Sequence, residues 1–539
     1  MTKTFNNKKN NKNNNSSKNK KSDFGFYTLL KYFGIAFSSL MVSLFPLFLT
    51  NRYFNIRHDK LYLFYILGGL LVFSVIAVFV FFDNRTREEK LNSKVTLKDF
   101  SVTDFAITAF VLSAVISTVF SDYPLASLTG QAGRNNGLIL IVLYALVYFI
   151  ISRIYRENNI VPILACVVSA TVSVIAILQQ FYWDPLNLYA GLGGSQIGKF
   201  ISTLGNRNIL SAYLCITLPL SFMMFIYGKK LYELAIGGLT AIITFAGVIC
   251  CNSDSSILGT GAFLIFCIIF FIRNLEKTSR LFFLIGAMIA GCKIVRIFSF
   301  IMEDYSMKFS KIQSFFVYGN TYIAIFIFFA IALALLFLNL KYPKYKNPKT
   351  VQYCALAAFA LAFSVILALI IYYSVFDTKT KLTGIMTFLR FDDSWGTHRG
   401  FMWKRALYVF INVDIFQKIF GMGPDTFEKA MDIFGYNNEL MRYKNETTNC
   451  AHNVYLNYLI TLGLSGTISY ITATLSVLIK AVRRAAQNKY AMIFAGSVLC
   501  YSVQSVVNID QPITTPIFIL MIAIVESQNR KVKFKNQKS

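Results

Sequence analysis

The chain has 539 residues, of which 55% are hydrophobic and 15% charged. Soluble domains carry roughly 25% charged residues, so a soluble globular fold of this length is excluded. The formal net charge of +27 does not mark a nucleic-acid partner, because Lys and Arg fall in short clusters between apolar runs and form no basic face interleaved with stacking aromatics.

That clustering is how membrane proteins encode orientation. Residues 1–22 are Asn, Lys and Ser with almost nothing apolar, and read as a disordered basic tail. The apolar stretch that follows has no small-residue cleavage pattern, so it is a span and not a signal peptide. Spans are predicted at 28–50, 61–82, 101–120, 138–152, 161–181, 209–227, 231–251, 257–272, 281–300, 320–340, 353–375, 453–479, 490–508 and 512–527. Several fall short of the roughly 20 residues a transmembrane helix needs. The expected fold is therefore an all-α polytopic bundle of about 14 spans (12–14). Eleven helices lie in 23–375 and three in 453–527, with a large helical loop at 376–452 between them and a basic tail at 528–539.

Charge orients the bundle. With the basic tail inside, the inner segments hold thirty-two Lys and Arg and the short outer loops eight. Every inner segment then carries at least two, which puts both termini in the cytoplasm, the chain in the cell membrane and loop 376–452 on the outer face. Within that loop, Arg399 through Ile415 alternates basic and apolar residues at helical spacing, so its apolar side could lie on the membrane surface. The nine cysteines show no metal-ligand spacing. Asp392-Asp393 has no evident third ligand and reads as a solvated pair.

Of three histidines, His452 stands where the large loop meets a span, in Cys450-Ala-His-Asn-Val-Tyr-Leu-Asn457. An imidazole there suits proton handling at the membrane–water boundary; capping the helix is the alternative. Arg134, Arg207 and Arg399 also fall on the outer side, where guanidinium groups either bind phosphate bidentately or simply snorkel to headgroups.

The local sequence carries more. His452-Asn453, a nine-residue gap and Gly463-Leu-Ser-Gly466-Thr467 resemble the signature of the O-antigen ligase and polymerase family. Gly421-Met-Gly-Pro-Asp-Thr-Phe427 resembles its Gly-x-Gly-x-x-x-Phe turn, and Arg399-Gly-Phe-Met-Trp403 its Arg-x-x-x-Trp element. Leu204-Gly-Asn-Arg-Asn208 looks like its Gly-Asn-x-Asn span entry, and Gly133-Arg-Asn-Asn-Gly137 like an Arg-Gly loop. On one continuous helix the glycines of the first motif would lie about 16–21 Å from His452 and let a neighbouring helix pack closely. One element departs: where relatives carry Ser-Arg-Gly, this chain reads Asn252-Ser-Asp-Ser-Ser-Ile-Leu-Gly259. Asp254 occupies that region, so either another cation does the job of the missing arginine or the donor differs.

The resemblance implies a GT-C-like, metal-independent and cofactor-free inverting glycosyltransferase working on the outer face. Its donor would be an undecaprenyl-diphosphate-linked glycan, its acceptor a hydroxyl on glycan, lipid, wall polymer or protein. His452 would take the acceptor's proton, Arg399, Arg134 and Arg207 would hold the diphosphate, and Asn453 would orient the ring or contact sugar. A polysaccharide transporter or flippase is the alternative, and it would need charged residues along a path through the membrane.

Overall fold

The computed structural model of the chain describes residues 7–83, 96–131, 134–343, 345–444 and 448–530. The helices run α1 (Asn7–Leu47), α2 (Ile56–Phe81), α3 (Val102–Val119), α4 (Pro124–Thr129), α5 (Leu138–Ile154), α6 (Ile160–Gln180), α7 (Gly194–Ile197) and α8 (Arg207–Tyr227). Then come α9 (Leu231–Cys250), α10 (Asp254–Phe271), α11 (Leu275–Ile301), α12 (Lys311–Tyr318), α13 (Tyr322–Lys341) and α14 (Lys349–Ile371). The large loop folds into α15 (Trp395–Asn412), α16 (Ile415–Phe420), α17 (Phe427–Ile433) and α18 (Tyr436–Lys444). The chain closes with α19 (Val454–Thr461), α20 (Gly463–Arg484), α21 (Lys489–Gln504) and α22 (Thr515–Asn529).

Among the described residues, twelve helical segments are long and apolar enough to cross a bilayer. The shorter α5 and α22 stand at two further expected positions, 138–152 and 512–527. α22 is buried along nearly its whole length, as is α8; these two form the middle of the bundle. In α13 only Ala332 is buried, and in α14 nothing is. Their bare Leu, Ile and Phe faces need an apolar surrounding, which lipid supplies. α1 begins at Asn7, inside the tail expected to be disordered; a helix started in a span can extend outward one hydrogen bond at a time. Gly133 and the basic tail beyond Arg530 lie outside the described residues.

Several buried charges among the described residues are satisfied at helix ends. Lys60 Nζ donates to the carbonyls of Phe45 and Pro46 at 2.6 and 2.8 Å, closing the end of α1. Lys293 Nζ does the same for α12, donating to Phe316, Val317 and Gly319. At the far end of α20, Lys480 pairs with Glu526 at 3.0 Å and Arg530 with Asp104 at 2.6 Å, tying α20, α22 and α3 together. These are the orphan carbonyls and buried carboxylates that a helical bundle must pair somewhere.

One expectation is overturned. The span read as continuous over 453–479 is two helices, α19 and α20, broken at Leu462. Gly463 has a left-handed φ of +67°, and the turn at Gly421–Gly423 fills the gap. Met422 N–H donates to Ile460 O and Gly423 N–H to Thr461 O, both at 3.0 Å. A Cβ on Gly421 would strike the Thr461–Leu462 backbone, and one on Gly463 the Ile419–Phe420 backbone. The glycines of the two motifs therefore meet each other, and Gly463 marks a helix start, not a position partway down one. The apolar side of α15 also turns inward in part: Ala406 and Val409 pack with Met422, Phe427, Met431, Ala451 and Ile460 in a small core of the loop's own.

Candidate functional site

His452 lies on the short link between the loop core and α19. Asn453 starts that helix: its Oδ1 accepts from the N–H groups of Tyr455 and Leu456 at 3.0 and 3.1 Å. The capping role weighed for His452 thus belongs to Asn453. His452 itself has φ +47°, a conformation a non-glycine residue holds only when its surroundings over-determine it. Two bonds hold the link. Trp403 Nε1 donates to Ala451 O at 3.0 Å, and Thr448 Oγ1 donates to Cys450 O at 2.8 Å. Among the described residues, His452 Nδ1 is buried without a hydrogen-bond partner.

Arg134 arrives from the loop between α4 and α5 and is only 4% exposed. Its Nη1 donates to the carbonyl and the side-chain oxygen of Asn449 at 3.1 and 3.2 Å. Its Nη2 lies 3.5 Å from Asp510 O, and its Nε lies 3.5 Å from Asp425 Oδ1. Two chain segments more than three hundred residues apart thereby meet beside His452. Despite burial, the anionic neighbours Cys450, Asp425 and Asp510 hold the Arg134 charge more firmly than usual. Burial pushes the Asp425 carboxyl up to about 6, against the pull of Arg134 and two backbone N–H groups. Burial would also raise the Cys450 thiol, but Arg134 and His452 outweigh it and bring it down to about 6.

Arg399 follows a sharp bend in which Gly396, Thr397 and His398 all take left-handed backbone (φ 59°, 58°, 67°). Its Nη1 donates to Gly396 O at 2.7 Å, while its Nε is buried without a hydrogen-bond partner among the described residues. Burial lowers its proton affinity, and the charges of Asp254 and Cys450 partly offset that. Asp254, in the region of the missing arginine, thus lies within electrostatic reach of Arg399.

Arg57 was not singled out from the sequence. In the first turn of α2, it lies within electrostatic range of both Arg134 and Cys450. Its only sequence signal, a basic residue at the outer start of a span, is shared with Arg52 and Lys60. Arg207 is engaged elsewhere. Its Nε donates to Gly198 O at 2.6 Å, its Nη1 to Cys250 O at 3.1 Å, and its Nη2 to the Met307 sulfur at 2.9 Å. It holds the end of α9 to neighbouring loops. The Gly-Asn-x-Asn element is likewise architectural: Asn206 caps α8 through Asn208 N–H, and Asn208 Oδ1 accepts from Ser253 Oγ at 2.7 Å. Asp393 pairs with Lys404 and Arg405 at 2.9 and 3.0 Å.

His452 thus stands in a neighbourhood where Arg134, Arg57 and Arg399 all lie within electrostatic range of Cys450. Residues 309–471, which hold Arg399, the glycine turn, His452 and the glycines of α20, match a family model described as O-antigen ligase. Over that segment the chain is similar to the O-antigen ligase family. The match supports an O-antigen ligase-like function in polysaccharide biosynthesis, carried by a multi-pass membrane protein. No curated protein and no solved structure matches the chain. Arg134 and Arg57 lie outside the matched residues, and the fold brings them to its edge.

Proposed function

We propose that this protein transfers or polymerises an undecaprenyl-diphosphate-linked glycan at the outer face of the cell membrane, within fourteen spans and a GT-C-like architecture, with both termini cytoplasmic. The observation that carries the reading is the bonding of Arg134 to Asn449, three residues before His452, with Arg57 and Arg399 both feeling the charge at Cys450. A leaving diphosphate needs such a cationic setting, and an attacking hydroxyl needs a base beside it.

In the reaction, the acceptor hydroxyl oxygen attacks the anomeric carbon. The bond from that carbon to the diphosphate oxygen breaks, and the polyprenyl diphosphate leaves with the electron pair. His452 takes the hydroxyl proton, a role worth roughly 10²–10⁴-fold. Arg134, Arg399 and Arg57 stabilise the diphosphate charge; a buried, preorganised donor contributes about 3–4 kcal/mol, and the exposed Arg57 less. Attack from the face opposite the diphosphate inverts the anomeric centre. The guanidinium groups supply the charge, so the reading calls for no metal or cofactor. Asn453 and Arg207 serve as scaffold.

The test is deletion of the gene followed by analysis of surface polysaccharide, with complementation by His452→Ala and Arg399→Ala. Loss of polymer with single lipid-linked repeats remaining marks a polymerase; accumulation of full-length lipid-linked chains marks a ligase. Normal glycan from His452→Ala would sink the proposal.

A further inference from the structure

Arg134 is held by a carboxylate that also holds its loop. Asp425 Oδ2 accepts from Gln131 N–H at 2.8 Å and from Asn136 N–H at 3.1 Å. These two donors flank Arg134 in the chain. The other oxygen, Oδ1, faces Arg134 Nε at 3.5 Å. Both side chains are at most 4% exposed. Asp425 itself sits at φ +60°, in the turn whose glycines fill the α19–α20 break. One carboxylate thus fixes the loop carrying the guanidinium, one edge of that guanidinium, and the turn supporting the helix of His452.

The two ends of the guanidinium are engaged differently. Its Nε edge meets a charge. Its Nη atoms meet the oxygens of Asn449 and the carbonyl of Asp510, with the Cys450 thiol group also near enough to interact with the guanidinium. A diphosphate oxygen is a stronger acceptor than either, so an arriving donor can displace Asn449 while Asp425 keeps the group aimed.

We propose, resting on the function above, that Asp425 is the positioning residue for Arg134, presenting its two Nη atoms to the diphosphate of the lipid-linked donor. A neutral side chain of the same shape should keep the loop and lose the aim.

The test measures binding of undecaprenyl diphosphate to the full-length protein in detergent, alongside donor KM and kcat. Asp425→Asn retains an oxygen for both backbone donors; it should weaken binding and raise KM by roughly tenfold or more, with a smaller change in kcat. Asp425→Glu should recover part of that loss, because it restores the charge. His452→Ala should bind undecaprenyl diphosphate normally and transfer nothing. Wild-type binding in Asp425→Asn, with His452→Ala inactive, would overturn the inference and leave the proposed function standing. A wild-type protein that fails to bind undecaprenyl diphosphate would overturn both.

Discussion

The indole N–H of Trp403 donates to the carbonyl of Ala451 at 3.0 Å, one residue before His452. The tryptophan of the Arg-x-x-x-Trp element therefore holds the peptide on which the imidazole is mounted. Trp403→Phe keeps most of the ring packing and removes the donor. A single such bond is worth about 0.5–1.5 kcal/mol. Activity should fall roughly three- to tenfold, with little change in thermal midpoint or in the amount of protein in the membrane. An unchanged turnover would mean that the link is rigid without it.

The glycine clasp predicts a graded series. Gly463→Ala and Gly421→Ala each force a side chain onto left-handed backbone and into a neighbouring main chain. Left-handed backbone alone costs roughly 1–2 kcal/mol, and main chain cannot move aside. Gly466 has no such φ, but its added Cβ would strike the Leu462 Cβ, which is fixed to the main chain. Thermal unfolding in detergent should rank Gly466→Ala above the other two by the cost of the left-handed backbone that it is spared, while still below wild type. Equal midpoints for all three would contradict the broken helix.

Most of the bundle is legible because lipid makes long apolar runs conspicuous, and the motif at His452 falls within the segment that matches the family model. The break at Leu462 was not legible. Nothing beside Gly463 demands a left-handed turn there; the demand comes from Gly421, forty-two residues upstream. Arg57 and Arg207 carry the same signal, a cation at the outer start of an apolar run, and only tertiary contact separates one near Cys450 from one bonded to helix-end carbonyls. Asp425 was hidden for a similar reason, since its partners lie about three hundred residues away.

Asp425 also predicts opposite effects of pH on stability and activity. Its carboxyl is raised to about 6 in the folded protein, above the ordinary value of about 3.9. The folded state then binds more protons than the unfolded state between those limits, so this group's contribution to stability rises as pH falls through about 6 and is lost as pH rises. Activity moves the other way, because the aimed guanidinium needs the carboxylate. The difference in thermal midpoint between wild type and Asp425→Asn should therefore change sharply between pH 4 and 7. Donor affinity of the wild type should drop below about pH 6 more steeply than that of Asp425→Asn, in which Cys450 alone of the pair still titrates there. An equally steep pH dependence in both proteins would remove Asp425 as a source and leave Cys450.

Arg57 and Arg207 give the sharpest contrast between a binding and a scaffolding cation. Arg57 shares the electrostatic surroundings of Arg134 and Cys450, whereas Arg207 spends its donors on Gly198, Cys250 and Met307. Removing the Arg57 charge should weaken donor binding. Arg57→Gln should raise donor KM about five- to tenfold, in line with the loss of one partly solvated charge at roughly 1 kcal/mol. Arg207→Gln breaks charge-assisted bonds worth roughly 1.5–3 kcal/mol each, so it should lower the thermal midpoint and the yield while each folded molecule keeps its donor KM. KM and thermal midpoint measured on both variants decide the matter. A raised KM in Arg207→Gln with an unaltered midpoint would move that residue into the diphosphate site and the boundary of the site with it.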